Sequence, residues 1–355
     1  MSAVFRELLK KVGSGPHTSE DLSRAESASA MRMMLMKEAT PAQIGAFLIA
    51  HRIKRPTGEE LAGMLDAYDE LGPKLQEIGS KEPPVMVFNS PYDGRDRTAP
   101  VTPLTALILT AVGQPVVIPG GGVMPTKYGI PLVDIWQGLG VDFSKLTLAQ
   151  AQQVFEKTKL GCVYLPQHFP LAYEMVEYRD QLGKRPPIAT LELIWCPYAG
   201  NAHVVSGFVH PPTEQMFQKA VALRGTPGNY TTVKGLEGSC DLPRDRTAII
   251  GFGSPGSDIE RLLLHPRDYD MAGKEVPLES ASQLIEQMQA AIAGKSCELM
   301  PAAIWNAGFY LWRCGATPDL QSGLTKAEAL FTNGIAAQKL QELSAAVAAL
   351  QLAPR

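Results

Sequence analysis

Apolar residues recur at helical spacing from Val4 to about Leu71, whereas beyond residue 84 short β-rich runs alternate with helical ones. In the first stretch the polar segments HTSEDL and EATPAQ introduce apolar-periodic runs, which predicts short packed helices. Thr40 and Pro41 have the form of a helix cap and first-turn residue, after which Ile44, Phe47 and Leu48 fall toward one face. Met31, Met33, Met34 and Met36 read as adaptable core packing. From Gly72 to Pro84 the chain turns rich in Gly, Pro, Lys and Glu, the composition of a hinge. VMVF, TPLTALILTAV, PVVI, PLVDIWQGL, LGCVYL, HVVSGFV and TAIIGF then alternate as an α/β sheet would, with sites expected in loops at strand ends. ESASQLIEQMQAAIAG, PAAIWNAGFYLWRCG and LTKAEALFTNGIAAQKLQELSAAVAAL read as helices.

Composition narrows the class. The 355 residues suffice for one large or two ordinary domains, and 45% apolar with 19% charged content is that of a globular chain. No apolar run approaches the roughly 20 residues of a membrane span, and the N-terminus lacks a secretory pattern, so a cytoplasmic location is expected. Cys162, Cys196, Cys240, Cys297 and Cys314 are odd in number and widely spaced, which suits buried reduced thiols and no zinc ribbon. A formal net charge of -3 gives no global attraction to nucleic acid.

The candidate chemistry lies between Asn89 and Val141, where a polar loop, an apolar helix, a strand, a triple glycine and another helix follow in turn. Such junctions expose backbone N–H groups that suit anions. The polar loop has no glycine cluster to wrap a pyrophosphate, and Gly120, Gly121 and Gly122 do not match the G-x-x-x-x-G-K-[ST] phosphate loop.

EATPAQIGAFLIAHRIKRPTGEELAGMLDA (38–67) resembles the helical subdomain of the anthranilate phosphoribosyltransferase family, glycosyltransferase family 3. AVGQPVV, DIWQGLGV, YRDQLGKR, KGLEG, LLHPRDYDM and WNAGFYLW follow in the family's order, so the resemblance spans nearly the whole chain. It implies a helical subdomain at 1–80, joined by a helix near 168–185, and an α/β domain at 85–355. The fold implied has a mixed, mainly parallel sheet and an active site in the cleft between the two parts. It also implies a homodimer, phosphoribosyl pyrophosphate and magnesium as ligands, and transfer of phosphoribosyl to an aromatic amine in tryptophan synthesis.

The residues at the implied ligand positions depart from the family. Its G-T-G-G-D loop aligns with Asn89, Ser90, Pro91, Tyr92 and Asp93, leaving the aspartate and the following Gly94, while Pro91 removes a backbone donor. Its N-x-S-T aligns with Pro100, Val101, Thr102 and Pro103, keeping one hydroxyl, and K-H-G-N-R aligns with residues 118–122, keeping Gly120. Lys127 further along that loop is a substitute cation for an anion held near Gly120 and Gly121, the alternative being a solvated lysine. Arg179 stands where the family grips the anthranilate carboxylate, although a salt bridge between helix and sheet would use it equally well. His168 is read as a packing residue. Where an acidic pair should hold magnesium, Asp241 remains, with Glu237 or Asp245 nearby. CPYAGN (196–201) is a further candidate substrate loop.

These departures point to a family member whose phosphoribosyl transfer is impaired or lost, with an anion-binding cleft retained at Asp93, Gly94, Arg95, Thr102, Gly120, Gly121, Lys127 and Arg179. An active enzyme with anthranilate or another acceptor is the first alternative. A non-catalytic nucleic-acid-binding paralogue is the second, with Arg95 and Arg97, and Arg52, Lys54 and Arg55, as phosphate-contact clusters whose bland reading is solvated surface.

Overall fold

A computed structural model describes residues 3–15, 17–79 and 82–351. Four helices come first: α1 (Ala3–Gly13), α2 (Arg24–Leu35), α3 (Pro41–Lys54) and α4 (Gly58–Leu71). Ser23 with Glu26, Thr40 with Gln43 and Thr57 with Glu60 close reciprocal capping boxes at α2, α3 and α4. Each satisfies otherwise orphaned N–H groups and contributes about 1 kcal/mol. The cap before α2 is Ser23, the residue directly after the HTSEDL segment. Ile44, Phe47 and Leu48 are buried together with Met31, Met33 and Met34, but Met36 is exposed just past the end of α2 and takes no part in the core.

The α/β part follows as β1 (Val85–Asn89), α5 (Thr102–Ala111), β2 (Val116–Gly120), α6 (Leu132–Gly138), α7 (Leu148–Thr158) and β3 (Leu160–Tyr164). Short helices α8 (Leu165–His168), α9 (Pro170–Tyr173), α10 (Val176–Leu182) and α11 (Ile188–Leu191) then return the chain past the helical part, α10 packing on α3. Next come β4 (Ala202–Gly207), α12 (Pro211–Arg224), β5 (Asn229–Val233), β6 (Ala248–Gly253) and β7 (Glu260–Leu264). The chain closes with α13 (Ala281–Ile292), α14 (Met300–Arg313), α15 (Leu320–Thr332) and α16 (Ile335–Gln351). Gly334, at φ +76°, breaks the last apolar-periodic run into α15 and α16.

The sheet order is β3-β2-β1-β4-β5-β6-β7, with β1 to β5 parallel and β5-β6-β7 antiparallel. β1 through β4 are buried along almost their whole length, as their continuous apolar runs require. Crossovers leave β1 toward β2 on one side and approach β4 on the other, so the strand order reverses between β1 and β4. A crevice opens beyond the carboxyl ends of strands at such a reversal. Asn89 and Ser206 are paired there, at the ends of β1 and β4. No helix among the described residues is long and apolar enough to cross a membrane.

Candidate functional site

Two cavities meet at this reversal. The inner one, of about 220 Å³, is lined by Pro91 and Asp93 after β1, by Phe208, Val209 and His210 after β4, and by Arg179, Arg185 and Glu192. The outer one, of about 540 Å³, lies between the end of α3, residues 185–190 and the start of α12. Arg185, Thr190, His210 and Thr213 border both.

Four charged side chains organise the inner cavity. Asp93 is fully buried, ion-paired with Arg185, whose Nε lies 3.2 Å from Asp93 Oδ2, and 3.4 Å from Arg179 Nη2. Arg179 Nη1 also donates to both oxygens of Glu192, at 3.2 and 3.3 Å. Burial pushes the Glu192 carboxyl above the usual carboxylate range, and the neighbouring Arg179 only partly counters it. Arg179 Nε and Asp93 Oδ1 have no hydrogen-bond partner among the described residues.

A second ion cluster, whose Glu237 also borders the inner cavity, holds the remaining charged candidates. Arg95 is buried and donates to Asp241 and to Ser239 Oγ at 3.3 Å. Asp241 also accepts from the Val101 N–H at 2.9 Å and from the Thr102 hydroxyl at 2.8 Å. Burial pulls Arg95 below its usual range, opposed by Asp241 and Glu237. Glu237 accepts from the N–H groups of Arg97 (3.2 Å), Thr98 (2.9 Å) and Asp96 (3.4 Å), from the Thr98 hydroxyl (2.8 Å), and from Lys127. Burial would raise this carboxyl, yet Lys127 and the convergent donors win and hold it well below the usual range. Glu237 sits at φ 55°, ψ 23°, a left-handed conformation costing a non-glycine residue about 1 kcal/mol, which its ring of hydrogen bonds offsets.

The structure thus divides the sequence candidates. Asp93 and Arg179 face the inner cavity, and Arg179 also makes the salt bridge foreseen as its alternative use. Arg95, Thr102, Lys127 and Asp241 meet in the closed cluster, where Arg95 is out of reach of an external phosphate. Gly94, at φ +76°, lets the chain pass against Gly129 and Ile130, where a Cβ would lie 2.6 Å from backbone. Gly120 ends β2 and Gly121 lies under the Met124 methyl, so neither borders either cavity. His168 is a packing residue, its Nδ1 accepting from the Tyr164 N–H at 3.0 Å. CPYAGN precedes β4, at the end of the sheet opposite the cleft, because Leu75 and Tyr198 are bridged there. It borders neither cavity. Lys54 pairs with Asp21 and Glu60, which removes it from the basic cluster expected with Arg52 and Arg55. Arg185, already in the YRDQLGKR segment, and Glu192, which carries no sequence signal, were not among the candidates.

A magnesium ion does not fit this donor set. Both oxygens of Asp241 are engaged by Arg95, Val101 and Thr102, Glu237 is enclosed by N–H groups and Lys127, and no metal-binding group of three His, Cys, Asp or Glu occurs among the described residues.

The arrangement of a helical bundle set against a mixed sheet, with a charged cleft at the strand reversal, has counterparts among known proteins. The model described as "Glycosyl transferase family, helical bundle domain" matches residues 6–72. An uncharacterized protein of Aquifex aeolicus is 27% identical over 331 residues, covering 92% of this chain and 98% of its own. The anthranilate phosphoribosyltransferase of Aromatoleum aromaticum is 25% identical over 325 residues, covering 90% and 92%. Among solved structures, the Saccharomyces cerevisiae anthranilate phosphoribosyltransferase in complex with PRPP and Mg superposes with a TM-score of 0.83 at 16% identity, covering 98% of this chain and 99% of its own. The Thermus thermophilus enzyme gives 0.77 at 20%, covering 98% and 100%. Over nearly its whole length the chain is similar to anthranilate phosphoribosyltransferases, and residues 6–72 match the helical bundle model of the glycosyl transferase family.

Proposed function

We propose that this family member has lost, or retains only weakly, magnesium-dependent phosphoribosyl transfer from phosphoribosyl pyrophosphate to an aromatic amine, and that its inner cavity takes a small anion instead. The observation that supports this reading most is that a protein carboxylate fills a cradle of backbone N–H groups beside the cleft. Three successive N–H groups, at residues 96–98, form an anion nest of the kind phosphates use, and Glu237 fills it together with Lys127. Arg95 is likewise committed to Asp241. A pyrophosphate entering this cluster would have to expel two carboxylates from hydrogen-bonded, buried positions, and breaking such pairs costs about 3–5 kcal/mol each. Pro91 removes another backbone donor from the preceding loop.

The inner cavity has a different balance. Asp93 shares two guanidinium groups, burial raises the Glu192 carboxyl, and Arg179 keeps an unpartnered Nε. That favours a carboxylate or single phosphate over a magnesium pyrophosphate.

Calorimetric titration with phosphoribosyl pyrophosphate plus magnesium, followed by an assay for anthranilate consumption, tests the proposal. No binding tighter than about 100 μM, roughly 5.5 kcal/mol, and no turnover are expected. Tighter binding accompanied by turnover would return the chain to the enzymes.

A further inference from the structure

The outer cavity has a composition unlike the rest of the cleft. Arg52, Arg55, Arg185 and His210 line it, no acidic residue does, and Arg52, Arg55 and His210 are exposed. Neither Arg52 nor Arg55 has a carboxylate partner among the described residues, whereas most other cleft cations are paired within the protein. Arg52 is held across the domain junction by its Nε, which donates to the Arg185 carbonyl at 3.1 Å. Arg185 is anchored from the inner side by Asp93. The positions of these two guanidinium groups are therefore set before any ligand arrives.

The remaining walls are apolar. Pro186, Pro187, Pro211, Pro212 and Met216 supply rigid surface that loses little entropy on contact. About 540 Å³ lies within the range of small-molecule sites, and pockets of mostly apolar lining with a few convergent charged groups are the usual form of such sites. Guanidinium forks match the tetrahedral oxygens of phosphate and are the side chains best suited to them.

We propose that the outer cavity binds a phosphate monoester carried on an apolar body, with Arg52 and Arg55 on the phosphate and the proline and Met216 surface on the body. This holds whether or not the inner site transfers a phosphoribosyl group, because Arg52 and Arg55 border only the outer cavity.

The probe is 1-naphthyl phosphate, titrated into the full chain beside inorganic phosphate and 1-naphthol. One-to-one binding at least tenfold tighter than either fragment is expected. Arg52→Ala with Arg55→Ala should weaken it about 100-fold, roughly tenfold for each charge-assisted contact. Lys127→Ala, in the inner ion cluster, should leave it unchanged. The unmodified protein gives an independent readout if the double variant folds poorly. With methyl-labelled methionine, the naphthyl ring should shift the Met216 methyl and leave that of the buried Met34, which borders neither cavity, in place. Equal affinity for 1-naphthol, an unaffected double variant, loss of binding in Lys127→Ala, or an unmoved Met216 methyl would each overturn the assignment.

Discussion

Replacing Asp241 by Ala tests whether the ion cluster behind the cleft is as dry as its geometry indicates. Asp241 is 1% exposed and Arg95 3%, so the substitution leaves a guanidinium in the interior with only Glu237, 3.7 Å away, as a carboxylate neighbour, and the Val101 N–H and Thr102 hydroxyl unsatisfied. Removing one partner of a buried pair costs about 3–5 kcal/mol. For cooperative unfolding of 355 residues at about 2.1 cal/mol/K per residue, the entropy at the midpoint is about 0.75 kcal/mol/K. The melting temperature should therefore fall by about 4–7 °C, read by differential scanning calorimetry. The exposed Lys10–Glu7 pair supplies the control, since Lys10→Ala should leave the midpoint unchanged. Arg95→Met combined with Asp241→Leu should recover most of the loss, because two apolar side chains need no countercharge. A midpoint for Asp241→Ala within about 1 °C of the parent would mean that water reaches Arg95, and the argument from a pre-neutralised phosphate site would fall with it.

Glu237→Gln keeps the side chain's shape but removes the charge that neutralises Lys127, so pyrophosphate affinity by calorimetry should rise at least tenfold; an unchanged value would show that Glu237 does not stand in for a phosphate. Glu60 has its carboxyl lowered from 4.5 to about 2: burial opposes ionisation, but the neighbouring His51, 3.3 Å away, and the N–H groups of Leu22 and Thr57 outweigh it. A depressed pKa stabilises the fold fully above the unfolded value and loses that stabilisation as pH falls through the folded value. Between pH 4.5 and 2 the parent should therefore lose stability that Glu60→Gln already lacks, so their denaturation curves should converge on acidification. In α4, a Cβ on Gly63 would lie 2.0 Å from the Arg24 carbonyl, so Gly63→Ala must push α2 away and should cost about 1–3 kcal/mol in urea denaturation.

Periodicity made most of the secondary structure legible. The capped helices at Thr40 and Thr57 and the buried strands β1 to β4 carry their signals within a few residues. β7 does not, since a short edge strand with Glu260 and Arg261 exposed lacks the apolar run that marks a central one. β5 is marked only by Tyr230, Thr231, Thr232 and Val233 after a glycine, too short a run to separate from a loop. Motif order and loop chemistry likewise carried the expectation that the phosphate-bearing positions differ from the family's.

What the sequence by itself determined is therefore the helical and strand pattern and the residue types between Asn89 and Gly122. Which charges remain free was decided by tertiary structure alone. Glu237 neutralises Lys127 across 110 positions of chain and Asp241 neutralises Arg95 across 146, while Arg52 and Arg185 meet across 133. A residue's type fixes its charge, but Coulomb attraction and desolvation depend on separation in space and on burial, and neither is written in spacing along the chain.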